Sequence, residues 1–362
     1  MKIFTVVGAR PQFVKAAVVS HALRAKKELF EFLVHTGQHF DPNMSKVFFD
    51  ELKIPQPNEN LGISGGTHGS MTGAMLVGLE KLMIEQKPDW VLVYGDTNST
   101  LAGSLSAAKL KLPCAHVEAG LRSHNKNMPE EVNRVLTDHA CDLLFAPTEE
   151  SYDQLLREGI ERSKIIRTGD VMLDATRIFS HLAKEKSSVI RSLQLQGKTF
   201  ALCTFHRAEN VDSKYILKWF VESLNFVSRT FPVVFPLHPR TKRRLIEFGL
   251  EKSFESSVIL LEPLGFLDFL SLQMACKVIM TDSGGLQKEA FFQKKPCVTI
   301  RSETEWVELL KGGHNRLVEP GIDSLAKKTT EALSAKMDWS TSFYGDGYSA
   351  EAIACSIMER QS

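Results

Sequence analysis

Short apolar runs rich in β-branched residues alternate along this chain with longer amphipathic stretches. Such alternation marks βαβ units, in which each strand is buried on both faces and each crossover helix turns an apolar stripe to the sheet. The runs KIFTVV, FLVHT, WVLVYG, CAHVE, LLFAPT and KIIRTG form a first set, and TFALCTF, PVVFPL, VILLEP, VIMTD, CVTIR and NRLVEP a second. Between Thr97 and Leu112 the chain is rich in Ala, Leu and Ser, as a helix packed on such a sheet requires. A polar helical stretch from Ala183 to Gly197 separates the sets, and a hinge is expected just ahead of it, near Asp174. The expected fold class is α/β, with two doubly wound parallel sheets in domains 1–174 and 175–345 whose strand C-termini face a shared cleft. After the Gly-rich turn Tyr344-Gly345-Asp346-Gly347, the segment from Tyr348 to Arg360 reads as an amphipathic helix able to pack on either domain. No repeat of solenoid period is visible.

Composition supports this reading and narrows the ligands. At 362 residues the chain is long enough for two cores, and 43% hydrophobic with 24% charged residues is a globular balance. With 44 Lys+Arg against 43 Asp+Glu, the net charge of +1 provides no global field for nucleic acid or an anionic membrane. An anionic ligand therefore needs a local site. The six cysteines are scattered, without CxxC or zinc-finger spacing, so a reducing compartment with buried thiols is expected. The opening MKIFTVVGARPQ breaks at Gly8 and Pro11, too soon for a signal-peptide core, and no apolar run approaches membrane-spanning length. A cytoplasmic protein is the expectation.

The polar residues cluster immediately after the expected strands. Gly8-Ala9-Arg10-Pro11-Gln12-Phe13-Val14-Lys15 is a strand end running into a helix start, where Arg10 and Lys15 bracket free amides that favour an anion. It has neither the P-loop nor the dinucleotide glycine pattern, and solvated surface charge explains the two cations equally well. Thr36-Gly37-Gln38-His39 and Tyr94-Gly95-Asp96-Thr97-Asn98-Ser99-Thr100 repeat the arrangement. Asp96 is a natural N-cap, yet Thr97, Asn98 and Ser99 serve as well, so Asp96 is not needed for that task. Glu118, in His116-Val117-Glu118-Ala119-Gly120-Leu121-Arg122, ends an apolar strand, where an ionised carboxylate needs a partner, and Arg122 is the nearest in sequence. Met128-Pro129-Glu130-Glu131 is a helix start whose acids also suit the helix dipole. Asp96, Glu118 and Glu130 are thus expected at one crevice, where carboxylates with raised proton affinity, held away from water, suit acid–base work at a weakly acidic C–H. A hard-cation site competes with that reading, but no closely alternating oxygen-ligand loop occurs, and no metal is expected.

In the second half, Thr204-Phe205-His206-Arg207-Ala208-Glu209-Asn210 and Leu237-His238-Pro239-Arg240 repeat the strand-end pattern. A lone His at a strand end is most often structural, but the dense polar group around His206 and Arg207 favours function. The clearest signal is Thr281-Asp282-Ser283-Gly284-Gly285-Leu286-Gln287-Lys288-Glu289. Its Ser283-Gly284-Gly285 turn opens a helix whose free amides suit a diphosphate, and Glu289, one turn on, suits the paired hydroxyls of a ribose. By itself that turn is only a good N-cap.

Taken in order, GARPQFVK, HTGQH, YGDTNST, HVEAGLRS, MPEEVNR, LLFAPTEES, TGDVMLDA, TFHRAEN, TDSGGLQKEA and KPCVTIRSETEW closely resemble the non-hydrolysing UDP-N-acetylglucosamine 2-epimerase family, from Met1 to about Val318. The resemblance implies two Rossmann-like domains in the GT-B-like arrangement, a C-terminal helix (346–362) returning to the first domain, no metal or nicotinamide, and a homodimer. It also implies anti-elimination of UDP to a 2-acetamidoglycal, followed by re-addition with inversion at C2. Asp96, Glu118 and Glu130 are then the acid–base groups, and His206 faces the leaving diphosphate. Arg10, Lys15, Gln38 and Arg207 belong with the substrate, Ser283, Gly284 and Gly285 with phosphate, Glu289 with ribose, and the loop from Pro263 to Phe266 with uracil.

Two features depart from the family's best-known members. They read Thr-Glu-Arg where this chain has Thr304-Glu305-Trp306, and they carry a shorter loop after Gln38-His39. Both look more like the branch acting on UDP-2,3-diacetamido-2,3-dideoxyglucuronate for surface polysaccharide, with Trp306 offering a flat apolar face to the extra acetamido methyl. The same longer loop puts a second, activating substrate site in doubt. A GT-B glycosyltransferase and a nucleotide-sugar sensor remain rival functions, since fold alone does not choose among them.

Overall fold

The computed structural model describes residues 1–38, 52 and 54–360. They divide into two compact units, Met1–Arg177 with Ser342–Ser362, and Ile178–Thr341.

The first unit runs β1 (Lys2–Val7), α1 (Arg10–Arg24), β2 (Phe30–His35), β3 (Glu59–Asn60), α2 (His68–Gln86), β4 (Trp90–Tyr94), α3 (Asn98–Leu110), β5 (Cys114–Val117), α4 (Pro129–Ala140), β6 (Leu143–Ala146), α5 (Glu149–Arg157), β7 (Ile165–Arg167) and the start of α6 (Val171–Lys186). Its seven-stranded sheet has the order β3-β2-β1-β4-β5-β6-β7 with every pairing parallel. The strands β4, β5 and β6 are buried at every position, as a sheet covered on both faces demands. The two-residue β3 is polar and exposed, so no apolar run announces it.

The second unit continues with α7 (Val189–Ser192), β8 (Ala201–Thr204), α8 (Ala208–Val211), α9 (Lys214–Ser228), β9 (Val233–Pro236), α10 (Pro239–Glu247), β10 (Val258–Leu261), α11 (Phe266–Ala275), β11 (Val278–Thr281), α12 (Gly284–Phe292), β12 (Cys297–Thr299), α13 (Val307–Lys311), β13 (Asn315–Leu317) and α14 (Leu325–Ser334). Its six-stranded parallel sheet has the order β10-β9-β8-β11-β12-β13. A final helix, α15 (Ser349–Glu359), returns to the first unit and packs on α1.

Both sheets reverse their winding once, between β1 and β4 and between β8 and β11. Helices on opposite faces diverge there, leaving a crevice outside the strand C-termini where ligands of such sheets bind. Gly8, Asp96, His206 and Ser283 all follow one of these four strands.

Candidate functional site

At the switch point of the first unit, Gln12 ties two strand ends together. Its carbonyl accepts from the amides of Gly8 (2.8 Å) and Ala9 (2.9 Å), and its amide donates to Tyr94 O (2.9 Å) and Thr100 Oγ1 (3.0 Å). Gly8 has no room for a side chain, because a Cβ would run into Ser99 Oγ and Thr36 Oγ1. The Gln38 carbonyl accepts from the Ser99 amide (3.1 Å) and hydroxyl (2.7 Å), joining the end of β2 to α3. Thr97 caps α3, so Asp96 is spared that task.

Two ion pairs stand over these loops. Lys15 pairs with Glu118, and Arg134 pairs with Asp96 while also reaching Glu131 at 3.0 Å. Glu118 holds φ at +74°, a left-handed backbone that costs a side-chain-bearing residue roughly 1–3 kcal/mol and recurs at functional sites. A Cβ on Gly95 would lie 3.4 Å from both Glu118 Oε2 and Lys15 Nζ, so this pair rests on the turn that carries Asp96. Burial pulls the Arg134 guanidinium down, but Asp96, Glu131 and Glu118 outweigh it and hold its pKa above the usual value. Asp96 and Glu118 are thus interleaved with cations, and Glu130 lies exposed in the first turn of α4. Arg10 opens α1.

Glu131 does more than complement the helix dipole. It is buried, accepting from the Ser123 amide (2.9 Å), the Ser123 hydroxyl (2.9 Å) and the His124 amide (2.8 Å). Burial raises its carboxyl, yet these bonds and Arg134 bring it below the ordinary carboxylate value. Arg122, the nearest cation in sequence to Glu118, is committed elsewhere, to Asp138 and Glu158 at 2.7 Å each.

In the second unit the buried Asp282 gathers the end of β8 against the end of β11. It accepts from the amides of His206 (2.9 Å) and Arg207 (2.8 Å) and from Asn210 Nδ2 (3.1 Å), while Arg207 Nε donates to its carbonyl (2.8 Å). His206 Nδ1 sits 3.3 Å from Asp282 Oδ1. The turn Ser283-Gly284-Gly285 begins α12 with no side-chain cap. Gln287 Nε2 donates to Ser283 O (3.2 Å) and Trp306 Nε1 to Gly284 O (2.9 Å). The first amides of α12 have no side-chain cap, and uncapped amides at a helix start suit an anion.

Glu305 is paired to Arg301 at 2.7 Å beside that turn, and a Cβ on Gly284 would have to displace Glu305 Oε1. Glu289 accepts from Gln273 Nε2 (2.7 Å), and Phe266 meets Phe179 edge-on at 5.8 Å.

The expectation that Trp306 shows a flat face to a sugar substituent is not met. The ring is 4% exposed, bonded to Gly284 O, and has Lys288 Nζ 4.3 Å from its centroid. The long loop after Gln38 lies outside the described residues. Sequence reasoning assigned no role to Gln12, Arg134 or Asp282, although each stands inside one of the polar strand-end or helix-start motifs that could have flagged it. Among the described residues no cluster of His, Cys, Asp and Glu could hold a metal, and no helix is long and apolar enough to cross a membrane.

The UDP-N-acetylglucosamine 2-epimerase family model matches residues 21–358. The chain is similar to the UDP-2,3-diacetamido-2,3-dideoxy-D-glucuronate 2-epimerase of Pseudomonas aeruginosa, 49% identical over 98% of both chains. It is also similar to the UDP-N-acetylglucosamine 2-epimerase of Methanocaldococcus jannaschii, 45% identical over 98% of both. A crystal structure of the M. jannaschii enzyme in complex with UDP-GlcNAc and UDP superposes with a TM-score of 0.90 at 43% identity, covering 99% of this chain and 100% of that one. The chain therefore belongs to the UDP-N-acetylglucosamine 2-epimerase family, with its GT-B-like class of fold, and is an isomerase.

Proposed function

We propose that the protein inverts C2 of a UDP-linked 2-acetamido sugar by eliminating and re-adding UDP. A carboxylate removes the C2 proton, the C1–O bond breaks with its electron pair leaving on the diphosphate, and a C1=C2 double bond forms. UDP then adds back to C1 while a second acid delivers a proton to the other face of C2. Asp96, Glu118 and Glu130 carry this proton traffic, with Lys15 and Arg134 compensating charge beside the first two. The turn Ser283-Gly284-Gly285 with the first amides of α12 takes the diphosphate, His206 serves the leaving group, and Glu289 takes the ribose. Arg10, Gln38, Arg207 and Phe266 complete the substrate contacts, Phe266 at the uracil. No metal or nicotinamide takes part.

The observation that carries the reading is Glu118, held at φ +74° and ion-paired to Lys15 beside the Gly95 turn. A strand-end carboxylate kept at that cost, next to a second ion-paired carboxylate, supports an acid–base role. Incubation with a UDP-sugar in deuterated water tests it: deuterium enters C2 without any acceptor. Transfer only in the presence of an acceptor, or no exchange at all, refutes it.

For the sugar we propose UDP-2,3-diacetamido-2,3-dideoxyglucuronate, destined for surface polysaccharide. The 49% identity to the P. aeruginosa enzyme supports it. Its carboxylate needs a cation, and Arg207 is the partner proposed, since a buried unpaired charge is strongly unfavourable. A kcat/KM at least about tenfold above that for UDP-N-acetylglucosamine, about 1.4 kcal/mol of differential transition-state binding, is the expected result. Faster turnover of plain UDP-N-acetylglucosamine refutes the choice.

We further propose a cytoplasmic homodimer. The exposed apolar side chains Val77 and Ile84 on α2 and Val132 and Leu136 on α4, helices that both pack on α3, support a self-complementary face. A monomer by light scattering at micromolar concentration refutes it.

A further inference from the structure

Helix α4 carries Glu131, Arg134 and Asp138 at spacings of three and four residues, which places them on one face. The first two meet the loops already described. The third is the buried Asp138, 1% exposed. One of its oxygens lies 2.7 Å from Nδ1 of the fully buried His116, whose Nε2 lies 2.7 Å from the carbonyl oxygen of Gly95, a pure acceptor. The other accepts from the Gly120 amide at 3.1 Å and from Arg122 Nη1 at 2.7 Å. Arg122 is in turn bound through Nε and Nη2 to Glu158, at 2.8 and 2.7 Å.

Gly95 directly precedes Asp96, and Gly120 comes two residues after Glu118. Both glycines hold positive φ, +62° and +83°, so each marks a sharp turn whose direction decides where the adjacent carboxylate points. Asp138 reaches both turns, one through the His116 ring and one directly. We propose that Asp138, acting on the Gly95 turn through His116 and on the Gly120 turn directly, is the positioning residue that sets Asp96 and Glu118 in register with each other.

A side chain with this task does not touch substrate and need not change its charge during turnover. It matters because proton transfer to opposite faces of one carbon tolerates little error, and a misplacement of about 1 Å can cost on the order of 10²-fold in rate. Buried, satisfied networks of this kind hold a single arrangement. The proposal rests on the assignment of Asp96 and Glu118 as acid–base groups.

The test compares His116→Ala, His116→Gln, Asp138→Asn and Glu118→Gln in the full chain. Measured are kcat and KM for UDP-sugar epimerisation, UDP affinity by calorimetry, and thermal midpoint. The Gln side chain can still donate to Gly95 O, whereas Ala cannot. Expected is a kcat loss on the order of 10²-fold for His116→Ala, partly rescued in His116→Gln, with UDP affinity unchanged in both. Asp138→Asn keeps the shape and secures the comparison should His116→Ala not fold. It is expected to lower kcat and leave UDP binding intact. Folded His116 and Asp138 variants with wild-type kcat beside an inactive Glu118→Gln overturn the proposal alone. A fully active Glu118→Gln overturns the acid–base reading on which it rests.

Discussion

Replacing Trp306 with Phe tests whether the anion seat of α12 is held from behind. The substitution keeps an aromatic ring over Lys288 but deletes the indole N–H that reaches Gly284 O at 2.9 Å. Loss of one intramolecular hydrogen bond costs about 0.5–1.5 kcal/mol. The smaller ring leaves a void of roughly 40 Å³ in a buried position, worth about 1 kcal/mol at about 24 cal/mol per Å³. The sum, about 2 kcal/mol, lowers the thermal midpoint by about 4–8 °C for a unit of this size.

Because the freed carbonyl lets the first turn of α12 relax, UDP affinity should weaken about fivefold, or about 1 kcal/mol. The chemical step should change little, since Asp96 and Glu118 belong to the other unit. Differential scanning fluorimetry, UDP calorimetry and a kcat against KM comparison read these out together. An unchanged midpoint with unchanged UDP affinity refutes the reasoning, as does a fall in kcat with binding intact. Trp306→Arg should be worse than Phe, because it sets a guanidinium against the buried Lys288 ammonium.

Asp96→Asn and Glu118→Gln should each lower kcat by about 10²–10⁴-fold with UDP affinity retained, measured by C2 deuterium exchange and calorimetry. Wild-type exchange in both would refute the assignment. Acid should unfold the first unit through Glu158. Burial raises its carboxyl, but the Arg122 and Gln154 bonds outweigh it and bring the pKa from 4.5 to about 2. A carboxyl depressed in the folded state stabilises above its unfolded pKa, so this contribution is present above 4.5 and is lost as pH falls through about 2. Urea midpoints from pH 6 to pH 2 should therefore fall less steeply in Glu158→Gln than in the parent chain, and parallel curves would contradict the linkage. Incubation with EDTA followed by gel filtration should leave turnover unchanged, and recovery of lost activity by one divalent ion would overturn a metal-free mechanism.

The alternation of apolar runs with amphipathic stretches was enough to announce two parallel sheets, because a strand buried on both faces must be apolar throughout, and the segments from KIFTVV to NRLVEP show it. It missed β3, which lies at the sheet edge and is polar. Local chemistry was equally legible: Thr97 caps α3 and Pro129 opens α4, since a cap involves neighbours a few residues apart. Partnership was not legible.

Glu118 lies four residues from Arg122 in sequence but pairs with Lys15, while Arg122 goes to Asp138 and Glu158. Trp306, read as a surface for ligand, is instead a buried support for Gly284. Sequence determined which residues stand at strand ends, because the period of burial is a local property. Only the tertiary structure decided which charges meet there, because parallel crossovers bring together side chains dozens of residues apart. A desolvated charge takes the partner that geometry delivers, whatever its neighbour in the chain.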